Sequence, residues 1–264
     1  MKYRYEEIDT SYSDDYIDTI DQIERIKQKM DLRHQTFELT KEQIAQEFYG
    51  SSDEENNTVV RNGITYILEN NVTVRGCSFG DHLQARNYDD ILELVKTYIT
   101  RKHREPLTED FICMLHKLVT DHELSENESG QYRTEPVHIR TTDYIPPLPE
   151  EVPALILELI QRYNKPSEAG KTRFEKICEL KRNFERVHPF VDGNGRTGRL
   201  LMNILFLQNG YAFLSIPSEE RNLYFESLEK NTFHVFAAEK MYKNMQNMQK
   251  RNTGKEEFHD LYYR

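Results

Sequence analysis

The densest chemistry in the chain lies between His188 and Arg199, which read His-Pro-Phe-Val-Asp-Gly-Asn-Gly-Arg-Thr-Gly-Arg. Gly193 and Gly195 flank Asn194, so the backbone there can take positive φ and approach a ligand closely. Successive N–H groups beside a helix N-terminus make an anion site. Arg196 and Arg199 are three residues apart, on one face of one turn, and both can fork onto phosphate oxygens. Asp192 sets one hard carboxylate beside them, which suits magnesium. His188 can take up a proton near neutral pH without a large pKa shift. Singly, such residues are more often a satisfied core histidine, an ordinary turn or a solvated basic face. In this order, at a helix junction, they point to phosphoryl or nucleotidyl transfer.

Two helices must hold this stretch. From Lys171 to Val187, Phe174, Ile177, Cys178 and Phe184 fall on one face, and His188 continues that face four residues later. Pro189 disfavours helical geometry at His188 and ends the helix there. Leu200, Leu201, Ile204, Leu205 and Leu207 restart the pattern, with Asn209-Gly210 as its C-cap.

The segment closely resembles the signature of Fic-domain proteins, His-x-Phe-x-Asp/Glu-Gly-Asn-Gly-Arg-x-x-Arg. His188, Phe190, Asp192, Gly193, Asn194, Gly195, Arg196 and Arg199 match every fixed position. The resemblance implies transfer of AMP from ATP to a hydroxyl of a target protein. It gives His188 the role of base, and Phe190 that of an anchor in the core. It also implies that Asp192 holds Mg2+, that Gly193, Asn194, Gly195 and Arg196 hold phosphates, and that Arg199 reaches the β/γ-phosphates. Many relatives carry an inhibitory helix with Ser/Thr-x-x-x-Glu-Gly/Asn, which Ser51, Glu55 and Asn56 fit; Glu55 is then the brake. By composition alone, residues 51–57 read as a solvated acidic turn. Gly130-Gln131-Tyr132-Arg133 resembles the family's Gly-x-Tyr-Arg turn. Val137, Ile139 and Thr141 alternate with polar residues, where relatives place a β-hairpin flap. Relatives use the region around Tyr224 near the adenine, which makes Tyr224 a candidate base contact and, equally, a core aromatic.

The remainder of the chain is read from periodicity. Residues 1–15 are polar and tyrosine-rich without a period, as in a loose arm. Ile17, Ile20, Ile23, Ile26 and Met30 mark a first helix, and Thr40 opens a second. Ile64 to Val74 fits either a hairpin or a helix with an extended piece. Helices follow at Ile91–Ile99, at Leu115–Val119 behind the cap Thr108, and at Val152–Ile160. His116 and His122 lack a metal-like spacing and read as surface or core residues. Ser218 caps a helix with Leu223 and Leu228, and residues 232–250 form the last one. The expected architecture is all-α, a Fic-type helical domain with a small β-hairpin flap and an N-terminal helical extension. Its divisions are an N-terminal arm at 1–45, a Fic domain at 46–245 and a polar tail at 246–264.

Composition narrows the partners. Of 264 residues, 37% are hydrophobic and 30% charged, and no apolar run approaches a membrane span. The N-terminus has no apolar stretch of the signal-peptide kind. Three scattered cysteines, Cys77, Cys113 and Cys178, fit free thiols in a reducing cytoplasm. Net charge is −10, which disfavours nucleic acid. Residues 1–60 hold 15 acidic against 7 basic residues, whereas 181–200 hold 5 basic against 2 acidic. A basic pocket in an acidic chain fits a small anion. The resemblance makes protein adenylyltransfer with ATP and Mg2+ the expected activity, on an unnamed protein, with no membrane partner and homodimerisation left open. Removal of AMP by the same site and a non-catalytic nucleotide-binding module are the alternatives; intact His188 speaks against the second.

Overall fold

The computed structural model describes residues 3–8, 12–29, 90–91, 93–98, 105–121, 123–139, 142–167 and 171–262, with the backbone alone for Ser218 and 251–262. The second helix expected from Thr40, the acidic stretch at 51–57 with Glu55, and the segment Ile64 to Val74 lie outside these residues. All regular structure among the described residues is helical. The main helices are α1 (Asp14–Lys29), α2 (Glu109–Val119), α3 (Val152–Asn164), α4 (Arg173–Val187), α5 (Asn194–Gln208), α6 (Arg221–Glu229) and α7 (Phe233–Tyr262). Residues 90–91 and 93–98 are helical as well.

Local chemistry explains the ends. Thr108 caps α2 by accepting the Phe111 N–H at 3.2 Å. Thr172 and Glu175 form a reciprocal capping box on α4, with the Thr172 N–H donating to Glu175 Oε2 at 2.6 Å. Gly210, at φ 79°, turns the chain after α5. Helix α7 runs through Tyr262, so the backbone of the polar tail is helical up to that residue.

Helix α4 is the axis of the domain, packed by α3, α5 and α7, while α1 lies along α7 and α2 against α5. Its apolar stripe, Phe174, Ile177, Cys178 and Phe184, is buried, as the spacing predicts. Its polar side is buried too, at Glu175, Glu179, Lys181, Arg182 and Asn183. Buried polar groups must find partners, and the chain's first residues supply them. The Ile8 N–H donates to Glu179 at 2.7 Å, the Glu6 N–H to Asn183 Oδ1 at 3.0 Å, and Tyr3 OH to the same oxygen at 2.9 Å. Tyr16 OH donates to Glu175 at 3.1 Å, and Glu6 pairs with Arg182 and Arg186. Residues 3–8 are therefore a strap laced to α4 rather than the loose arm their composition suggests. Polar pairing, which leaves no periodicity, is what holds them.

The flap segment keeps its alternation. Val137 and Ile139 are half-buried and His138 is exposed, yet residues 136–139 and 142 form no strand. The Thr142 N–H donates to the Ile139 carbonyl at 3.3 Å, and residues 140 and 141 lie outside the described residues.

Candidate active site

The loop between α4 and α5 starts from a left-handed residue. Helix α4 ends at Val187, and His188 takes φ 49°, ψ 62°, with its N–H still donating to the Phe184 carbonyl at 3.0 Å. Side chains other than glycine rarely sit there, and surrounding contacts must hold them. Arg133, 5% exposed, does so. Its Nε donates to the His188 carbonyl at 2.8 Å and its Nη2 to Pro147 O at 2.5 Å, while its own N–H donates to Pro189 O at 3.0 Å. The Arg133 of the Gly-x-Tyr-Arg turn thus closes the end of α4 beneath the histidine.

His188 Nδ1 lies 3.2 Å from the Glu185 carbonyl. A carbonyl only accepts, so Nδ1 carries the proton and Nε2 keeps its lone pair. Burial lowers the His188 pKa below the ordinary imidazole value, and the nearby Glu185 carboxylate pulls partly the other way. The imidazole is therefore neutral at pH 7, which is what a general base requires. The Glu185 carboxylate is ion-paired with the fully buried Lys181. Burial alone would raise its pKa; Lys181, with His188 and Arg199, outweighs that and holds it below the ordinary value.

Phe190 is fully buried and stacks on His116, with ring centroids 3.7 Å apart and planes 6° from parallel. Asn194 closes the turn. Its Oδ1 accepts the Phe190 N–H and its Nδ2 donates to the Phe190 carbonyl, both at 2.9 Å. His116 is fully buried, and both of its nitrogens are committed. Nδ1 accepts the Gly130 N–H at 2.8 Å, so Nε2 is the nitrogen that donates to the Asp192 carbonyl at 2.9 Å. Burial pushes the His116 pKa down to about 4, and Arg196 adds to this; the bond to Asp192 and the charges of Asp192 and Glu123 oppose it. Sequence reading left His116 as a surface or core residue. The available signal was its place in the buried stripe of Ile112, Leu115 and Val119, where an imidazole must be satisfied.

Gly193, at φ 72°, is the N-cap of α5. A Cβ there would lie 2.5 Å from Thr120 Cγ2, so only glycine lets the loop rest on the end of α2. Asn194, Gly195 and Arg196 form the first turn of α5, where the backbone N–H groups point toward the helix end. Arg199 folds back toward this terminus, and a Cβ on Gly195 would lie 3.3 Å from its Nη1. Asp192 is exposed, and its Oδ1 accepts the Gly193 N–H at 2.6 Å. Arg196 is held by Glu123 through a bidentate fork, Nη1 to Oε1 at 2.7 Å and Nη2 to Oε2 at 2.6 Å. Nothing in the sequence pairs Glu123 with Arg196 across so many residues. Among the described residues no group of three or more His, Cys, Asp or Glu is placed to hold a metal. One carboxylate beside a helix N-terminus able to take phosphate fits magnesium, which keeps waters and takes substrate phosphates as ligands.

Beside the histidine's helical turn, a cavity of about 370 Å³ is lined by Ile139, Thr142, Tyr144, Glu185, Phe225, Leu228 and Glu229, among others. Tyr224 does not line it. At 2% exposure, Tyr224 is a core aromatic, edge-on to Phe233 at 5.8 Å, and its neighbour Phe225 is the ring that reaches the cavity.

In this helical domain the central helix delivers a neutral histidine to a glycine-lined helix N-terminus, an arrangement able to hold an anion beside a base. Residues 106–206 match the Fic/DOC family. The chain is 31% identical over 193 residues to protein adenylyltransferase Fic of Drosophila yakuba, covering 72% of this chain and 37% of that protein. To the protein of the same name from Nematostella vectensis it is 30% identical over 196 residues, covering 72% and 44%. The chain thus spans less than half the length of these curated relatives. A Fic domain containing signaling protein from Bacteroides thetaiotaomicron shares the fold with TM-score 0.72 at 24% identity, over 90% of this chain and 97% of that one. Fic-1 from C. elegans gives 0.76 at 21%, over 91% and 73%.

Proposed function

We propose that this chain is a protein adenylyltransferase that moves AMP from ATP onto a Ser, Thr or Tyr hydroxyl of another protein. The observation that carries this is the tautomer of His188. With Nδ1 committed to the Glu185 carbonyl, Nε2 is left as a base. It stands one short turn before an anion-binding helix N-terminus. His188 takes the proton from the incoming hydroxyl, whose oxygen then bonds to the α-phosphorus as pyrophosphate leaves. The N–H groups of 194–196 and the guanidinium groups of Arg196 and Arg199 receive the phosphates. Asp192 would hold Mg2+, which neutralises phosphate charge when bound. The cavity takes the base, with Phe225 as the ring against it and Tyr224 packed beside Phe225 in the core. Its volume of about 370 Å³ lies at the small end of ordinary ligand sites.

Glu55 completes the proposal as a brake. The support is the sequence match Ser51-x-x-x-Glu55-Asn56, since these residues lie outside the described ones. A carboxylate on Arg199 would take donors meant for the γ-phosphate, and a charge-assisted bond of this type contributes about 1.5–3 kcal/mol. Glu55→Gly should then raise labelling from α-labelled ATP, on the chain itself or on lysate proteins, by roughly 10- to 150-fold. Equal labelling of both forms removes the brake; no labelling of either removes the transferase.

A further inference from the structure

The end of α2 and the turn after it contact the catalytic loop at successive positions. His116 holds the Asp192 carbonyl, Thr120 lies under Gly193, and Glu123 holds Arg196. We infer that Glu123 is a positioning residue for the phosphate cradle: it orients the Arg196 guanidinium before nucleotide arrives. This rests on the transfer reading above.

Both ends of the pair are anchored. The Glu123 N–H donates to the Thr120 carbonyl at 3.0 Å, and Arg196 stands in the first turn of α5. The two side chains are only 16% and 19% exposed, unlike the solvated ion pairs that contribute little. A bidentate fork fixes the plane of a guanidinium as well as its position. The group has five N–H donors and Glu123 takes two, so the pairing by itself does not exhaust it. At contact the two charges offset each other, so the pair adds no net positive charge toward phosphate. What remains is orientation, which lowers the ordering cost of binding a triphosphate.

The test is a set of affinities measured by calorimetry on the chain, with ATP–Mg2+ and with adenosine as probes. Immobilising one rotamer-rich side chain in advance corresponds to roughly 2- to 12-fold in Kd. Glu123→Ala should weaken ATP by that much, and Glu123→Gln by less, because one acceptor remains. Adenosine affinity should stay unchanged in both, which a general structural loss would not allow. Glu123→Ala with Arg196→Ala together should bind ATP no more weakly than Arg196→Ala alone, because Glu123 acts through Arg196. Unchanged or tighter ATP binding by Glu123→Ala overturns the inference and makes the carboxylate idle or a competitor of phosphate. Equal weakening of ATP and adenosine, or additive losses in the double variant, also overturns it. If the wild type binds no ATP, the transfer reading falls as well.

Discussion

His116→Phe is the substitution whose consequences can be worked furthest from the structure. Phenylalanine keeps the ring stacked on Phe190 and loses both hydrogen bonds of the imidazole. The buried Gly130 N–H is then orphaned, which costs about 1–3 kcal/mol; the Asp192 carbonyl belongs to an exposed residue and can turn to water. At pH 7 the variant should be less stable by about that amount. Acid changes the comparison. His116 has a pKa near 4 in the folded chain against an ordinary 6.5, so the unfolded chain binds more protons between these values. Its contribution to stability is present above pH 6.5 and is lost as pH falls toward 4, amounting to about 3 kcal/mol by then. Phenylalanine has no such dependence, and other titrating groups cancel in the difference. Urea unfolding of both forms at pH 7 and pH 4 should show the gap closing or reversing in acid. A gap that stays constant would refute a neutral, doubly bonded His116 beneath the loop.

Other outcomes follow from the same geometry. Because burial lowers the His188 pKa, the acid limb of the transfer rate should fall below pH 6.5, and Glu185→Gln, which removes an opposing charge, should move it lower still. Gly193→Ala places a Cβ 2.5 Å from Thr120 at φ 72°, so it should lower stability by about 1–2 kcal/mol from the backbone alone, with the clash in addition, as read by thermal unfolding. Asp192→Ala should lose activity together with its magnesium dependence; wild-type labelling that is equal with and without a chelator would remove the metal.

The helical framework was largely legible because it is written in periodicity and caps. The stripe from Phe174 to Phe184, the cap Thr108 and the stop at Pro189 each act within a few residues. What escaped acts across the chain. Glu179 and Asn183 lie off the apolar stripe of α4, and their partners Ile8, Glu6 and Tyr3 come from the other end of the sequence. Glu123 and Arg196 share no spacing rule, and the bond that locks the His188 tautomer is to a backbone carbonyl. The loop could be seen as one unit because its residues are consecutive; its support could not, because it comes from the end of α2 and the turn at Arg133. Tyr224 and Phe225 differ by one position on a helix, and periodicity does not say which of two adjacent rings faces a cavity.

The account stands or falls on what is transferred and by which residue. Incubation of the chain carrying Glu55→Gly with α-labelled or γ-labelled ATP, alongside the same chain with His188→Ala, measures both. The account predicts protein labelling from the α-phosphate only, reduced about 10²–10⁴-fold by His188→Ala while ATP still binds. Labelling from the γ-phosphate, or undiminished labelling without His188, would contradict it.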